Sequence, residues 1–191
     1  MKSIYIFLIL ILLGYSGCRT SKPAAESKPP LVQQGAPGQS APKVNFSDQS
    51  TWILGYFDLN KLFQPPYSSW FLSGYDDYQY NYEAVNKLRD LEKSDISIKV
   101  VLGTWCPDSR REVPRFMRIL NLIDFAKDKV NLIGVDNVKN SPVENYSALN
   151  ILRVPTFIFF KNNIEIGRII ENPATSLEQD MINILTGMNK N

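Results

Sequence analysis

Cys106 is the residue in this chain best placed for chemistry. It stands between Gly103-Thr104-Trp105 and Pro107-Asp108-Ser109-Arg110-Arg111-Glu112, where strand formers give way to helical spacing. A thiol just ahead of a helix meets the unpaired N–H groups of the first turn and the positive end of the helix dipole. Both favour the thiolate, so Cys106 is a candidate nucleophile. Ser109, three residues on, is placed to donate a hydrogen bond to that thiolate. Arg110 and Arg111 add positive charge and Asp108 negative charge, so the sign of the local field stays open. A solvated helix face accounts for Arg110, Arg111 and Glu112 equally well, and Asp108 is ordinary first-turn dipole chemistry.

The rest of the composition narrows the chemistry further. The 191 residues contain no histidine and only two cysteines, Cys18 and Cys106. Ser-His and Cys-His nucleophile pairs and histidine metal sites are excluded in one step. A lone cysteine without histidine is a poor ligand set, and neither a metal nor a cofactor is expected. With 21 basic against 19 acidic residues the formal charge is +2, and nothing points to nucleic acid. A hydrophobic content of 44% suits one globular domain with appendages.

The elements that must position Cys106 follow from periodicity. Ile96, Ile98, Val100 and Leu102 alternate, with Val101 also apolar, which predicts a central buried strand. Val113, Phe116, Met117, Leu120 and Ile123 then form a helical stripe, kinked but not ended by Pro114. Val130 to Val135 predicts a second strand and Glu144 to Asn150 a short helix. Phe157 to Phe160, the turn Lys161-Asn162-Asn163 and Ile164 to Ile170 predict a hairpin. Thr175 and Glu178 match a capping box ahead of a closing amphipathic helix over Leu177, Met181, Ile184 and Leu185.

Upstream, residues 44–95 are aromatic-rich. Phe57 to Phe63 reads as a short helix stopped by Pro65-Pro66, and Tyr82 to Leu91 as a longer one. The rings between Trp70 and Tyr82 either pack this part against the sheet or line a groove. Residues 1–17 have a positive start, an apolar run and small residues before Cys18, and are similar to a bacterial lipoprotein signal apart from Tyr15. That similarity implies cleavage before Cys18, lipidation of Cys18, and a membrane anchor. Residues 18–43, with prolines and no apolar period, read as a disordered tether. Arg19 carries no aspartate-type retention signal, which points to the periplasmic face of an outer membrane.

From Ile96 the order is strand, helix, strand, helix, hairpin, helix, with Trp105-Cys106-Pro107 at the first junction and Arg153-Val154-Pro155-Thr156-Phe157 before the hairpin. Over residues 96–188 this resembles the thioredoxin family. The resemblance implies a three-layer α/β/α sandwich around a central mixed sheet, with residues 44–95 as an aromatic-rich helical extension. It also implies a cis Val154–Pro155 bond that places the Val154 backbone beside Cys106. Trp105, Pro107, Val154 and Pro155 then contact an extended substrate strand. Two positions depart from the family: Ser109 stands where a second cysteine is usual, and Val100 where a buried aspartate is usual.

Without a second thiol, a mixed disulfide on Cys106 cannot be resolved within the chain. The first expectation is a membrane-tethered monothiol thiol-disulfide oxidoreductase or isomerase, with Cys106 and Ser109 catalytic. Its partners are protein clients bearing disulfides or thiol adducts and an external thiol or reductant, a logic shared with monothiol glutaredoxins. The alternative is a non-catalytic peptide- or protein-binding module. Peroxiredoxin-type chemistry is disfavoured because Gly103 stands where that family wants threonine.

Overall fold

The computed structural model describes residues 44–188. The expected signal sequence, the Cys18 anchor and the tether lie outside the described residues. Five strands form one sheet: β1 (Gly55–Phe57), β2 (Ile96–Leu102), β3 (Val130–Gly134), β4 (Thr156–Lys161) and β5 (Ile164–Ile170). Their spatial order is β1-β3-β2-β4-β5. β2 and β3 are parallel, with Val100 opposite Leu132, and the other three pairings are antiparallel. Parallel neighbours need a crossover. Here it is helix α3 (Pro107–Leu122), which starts at the carboxyl end of β2.

The alternation in β2 divides the molecule. Ile96, Ile98, Val100 and Leu102 join Leu132, Phe157, Phe159 and Ile169 in the larger core. The same core takes in α3 and helices α1 (Ser68–Asp76), α2 (Tyr82–Asp90) and α4 (Leu177–Leu185). Val101, Ile133 and Ile158 point the other way, into a smaller cluster that includes Cys106 and Val154. The architecture is a thioredoxin-like α/β fold with a central mixed sheet. Its second covering layer is thin: where a short helix over Glu144–Asn150 is expected, a single 3-10 turn, Tyr146–Leu149, is formed. The backbones of Asn145 and Asn150 at its two ends are left-handed, at φ 57° and 51°, which breaks any longer helix.

Several local choices explain these elements. Asn162 and Asn163 both take positive φ, 49° and 65°, as a two-residue hairpin turn requires. Pro107 occupies the first helical turn of α3, where its missing N–H costs nothing. Pro114 inside α3 is buried, and a side chain on Gly74 of α1 would fall 2.6 Å from its ring. Glycine at that crossing lets α1 lie directly on the proline.

Three expectations are corrected. Phe57 ends a strand, and the segment after it is a 3-10 helix, Leu59–Phe63, capped by the Asp58 side chain. The extension is therefore not purely helical, since β1 adds an antiparallel edge to β3. The cap of α4 is Ser176, whose Oγ accepts from the Gln179 N–H at 3.2 Å, one residue along from the expected box. Glu178 instead is buried, and its Oε1 accepts from the Tyr78 hydroxyl at 3.0 Å and the Asn81 N–H at 3.1 Å. The aromatic stretch mostly packs. Phe63, Trp70, Phe71 and Tyr75 lie edge-on or stacked against one another, and of the rings between Trp70 and Tyr82 only Tyr80 and Tyr82 stand exposed.

Candidate functional site

The site grows from the end of β2. Gly103 turns the chain out of the strand, and the Trp105 indole lies so close over it that a Cβ there would fall 2.5 Å from the ring. The indole N–H donates to the Val135 carbonyl at 3.0 Å, which fixes the ring across the ends of two strands. Cys106 is the N-cap of α3, with its own N–H bonded to Gly103 O at 2.9 Å. Its side chain makes no capping bond, so the thiol is left for other contacts. Only 6% of the residue is exposed, and the thiol donates to the Val154 carbonyl at 3.3 Å.

The Val154–Pro155 bond is cis, and both residues are buried. Trp105, Cys106, Val154 and Pro155 are thus brought to one end of the sheet, with Pro107 exposed beside them. Leu152, two residues ahead of Val154, is 82% exposed. Val100 is fully buried among apolar neighbours, with no titratable group at that position of the strand.

Ser109 departs from the expectation. It is wholly buried, and its Oγ accepts from the Gly103 N–H at 3.3 Å, with no hydrogen bond to Sγ. The hydroxyl ties the first turn of α3 back to the end of β2, because a buried backbone donor needs a partner. Glu112 is likewise no part of a solvated face. It is 3% exposed and pairs with Arg111 at 2.6 Å and Arg115 at 3.1 Å. Arg111 also meets Asp108 at 2.7 Å and the Asn172 side chain, so the charges of Asp108 and Arg111 offset each other. Arg110 behaves differently. Its guanidinium lies 4.8 Å over the Phe46 ring and 3.5 Å from Thr104 O, with no carboxylate partner among the described residues.

Phe46 and Trp52 belong to the segment before β1, which sequence reasoning did not connect with the site. Thr104, fully buried, binds this segment twice: its hydroxyl donates to Thr51 O at 3.0 Å and accepts from the Ile53 N–H at 3.4 Å. Trp52 packs on Trp105 with ring centroids 6.3 Å apart. One signal was available, a polar threonine between Gly103 and Trp105 at the end of an apolar strand. No local pattern marks Trp52 or Phe46, whose partners at the site, Trp105 and Arg110, lie more than fifty residues away.

Tyr146 covers the same small cluster. Burial and the Asp136 carboxylate push its hydroxyl up to about 12, and that hydroxyl is buried without a hydrogen-bond partner among the described residues. Among the described residues, no three Cys, Asp or Glu side chains converge as metal ligands would, and no helix is long and apolar enough to cross a membrane. A cavity of about 640 Å³ lies at the far end of α3 from Cys106, between Phe57, Phe63, Tyr75, Met117 and Phe125.

No family model and no curated protein matches the chain. Among solved structures, a protein of unknown function from Pseudomonas aeruginosa is similar, with TM-score 0.50 and 12% identity over 70% of this chain and 92% of that one. A thioredoxin from Trypanosoma brucei brucei is 24% identical over 56% of this chain and 88% of its own, with TM-score 0.34. At 12% identity the first of these likenesses speaks to the fold alone, and the topology above already carries that conclusion.

Proposed function

We propose that this protein is a monothiol thiol-disulfide oxidoreductase or isomerase acting through Cys106. The observation that carries the reading is a single thiol at the N-cap of α3, in contact with the Val154 carbonyl, with serine at position 109 in place of a second thiol. The Cys106 sulfur attacks one sulfur of a client disulfide; the S–S bond breaks, the client's other sulfur leaves as a thiolate, and a mixed disulfide remains on Cys106. An external thiol, or the client's second cysteine, attacks that mixed disulfide and frees Cys106. Trp105, Pro107, Val154 and Pro155 are the surface on which the client lies. Ser109 acts by anchoring Gly103 and not by touching the sulfur.

The clients are extracytoplasmic proteins with disulfides or thiol adducts. The chain is held near them by lipidated Cys18 at the periplasmic face of an outer membrane, on the strength of residues 1–19. In cells of the source organism, non-reducing gels of the wild-type protein should show adducts that Cys106→Ala lacks. Absence of any Cys106-dependent adduct sinks the exchange reading, and recovery of the chain with cytoplasmic proteins sinks the location.

The small exposure of Cys106 favours a second reading, a binding module that uses the same ledge without chemistry. The same gels separate the two, because a binding module forms no adduct.

A further inference from the structure

Of the three arginines in the first three turns of α3, two are occupied. Arg111 is shared between Asp108 and Glu112, and Arg115 pairs with Glu112 while its guanidinium lies 5.6 Å over the Tyr78 ring. Among the described residues Arg110 alone of the three has no carboxylate partner, and it stands four residues after Cys106, with its N–H bonded to the Cys106 carbonyl at 3.1 Å. The Arg110 guanidinium also reaches back to the Thr104 carbonyl at 3.5 Å, two residues before Cys106, so the cation stands at the same strand-to-helix turn as the thiol. The cation is also not free to wander. Phe46 takes its flat face and Thr104 O takes one N–H, while the segment that delivers Phe46 is fixed by the two Thr104 hydrogen bonds and by the packing of Trp52 on Trp105. A guanidinium stacked on a ring keeps its outward N–H groups for an anion.

We infer that Arg110 is the specificity-determining residue of the thiol site and selects substrates that carry a carboxylate beside the sulfur to be attacked. This rests on the exchange reading for the word substrate, but the charge preference is a property of the site itself. The substrates are acidic disulfides: a client cysteine flanked by Asp or Glu, or a low-molecular-weight disulfide bearing carboxylates. Arg110 takes no part in bond making. It draws the anionic group to the mouth of the site, while Sγ attacks the neighbouring sulfur and the departing thiolate carries off the electron pair of the S–S bond.

The test compares two alkylating agents of nearly equal size, iodoacetate and iodoacetamide. Each forms an S–C bond on Cys106 and releases iodide, and they differ in one negative charge. Rates are read at the Cys106 peptide by mass spectrometry, so that Cys18 does not interfere. One charge within roughly 10 Å of the thiol at a partly screened site is worth roughly a two- to tenfold rate difference. The iodoacetate-to-iodoacetamide ratio should therefore fall by that factor in Arg110→Gln and recover largely in Arg110→Lys. In the wild type the ratio should also fall as added salt shortens the Debye length from about 30 Å to about 3 Å, and in Arg110→Gln it should not. A ratio that is the same in wild type and Arg110→Gln, or one that Arg110→Lys fails to restore, overturns the inference.

The two proposals fail separately. Anionic preference in alkylation with no exchange against a carboxylate-bearing or a neutral aromatic disulfide removes the exchange reading and keeps the role of Arg110. Exchange that proceeds equally with both disulfides removes the role of Arg110 and keeps exchange.

Discussion

Replacing Ser109 with alanine separates two roles for the residue that stands in place of a second thiol. In the structure its Oγ accepts the Gly103 N–H at 3.3 Å, and both groups are buried. Alanine leaves that backbone donor without a partner, a loss of about 1–2 kcal/mol when the bond is as long as this one. Alanine's better helix propensity returns about 0.5 kcal/mol, so the net destabilisation is about 1 kcal/mol. For a domain of this size that is about 3 °C in Tm. A hydroxyl bonded to the thiolate would instead be worth roughly 1.5 kcal/mol or more to the charged form, a tenfold effect on thiol reactivity.

The assay is a urea melt together with the rate of iodoacetamide labelling of Cys106 in the native protein. The expected outcome is a lower urea midpoint with an unchanged slope, and labelling that shows no tenfold slowing. Unchanged stability with a tenfold loss of reactivity would refute the anchoring argument and return Ser109 to the sulfur.

Two further predictions follow from packing and titration. In Gly134→Ala the new Cβ would fall 2.1 Å from the Ile53 carbonyl oxygen, a backbone atom that cannot swing aside, so the β1 edge must shift. Overpacking of this kind costs about 1–3 kcal/mol, and loss of the Trp52–Trp105 contact should appear in tryptophan fluorescence; an unchanged melt and spectrum would contradict the contact. Burial and Asp136 push the Tyr146 hydroxyl up to about 12, against about 10 in an unfolded chain. The unfolded state therefore releases this proton first, and stability falls as pH rises from about 10 towards 12. Tyr146→Phe should flatten that fall and leave neutral-pH stability equal or higher, since the hydroxyl has no partner to lose. A urea midpoint that drops at pH 7 in this variant would show that the hydroxyl is satisfied.

The legible parts of the fold were those with a strong period. β2, α3 and the β4–β5 hairpin fall where the apolar spacing and the Asn162-Asn163 turn place them, and Cys106 is the N-cap that the strand-to-helix seam predicts. β1 was not legible, because three residues, Gly55–Phe57, carry no alternation, and their pairing with β3 is a contact across some 75 positions. The cap of α4 was misplaced by one residue, since Thr175 and Ser176 offer the same hydroxyl and only the backbone geometry chooses between them. Glu112 looked like a surface residue by type. Its burial depends on two arginines one and three positions away folding over it.

What the sequence determined by itself is the set of possible reactions. With no histidine and one cysteine outside the N-terminal segment, histidine chemistry is excluded and any thiol chemistry of this domain is that of a single cysteine at a helix start. The tertiary structure decided what surrounds that thiol. It turned Ser109 toward Gly103, brought the Val154 carbonyl to the sulfur, and laid Phe46 and Trp52 against Arg110 and Trp105. These are contacts between segments some fifty residues apart, or the choice of one partner among several for a single hydroxyl. Neither leaves a periodic trace along the chain, because both are settled only when the sheet closes and every buried donor must find its acceptor.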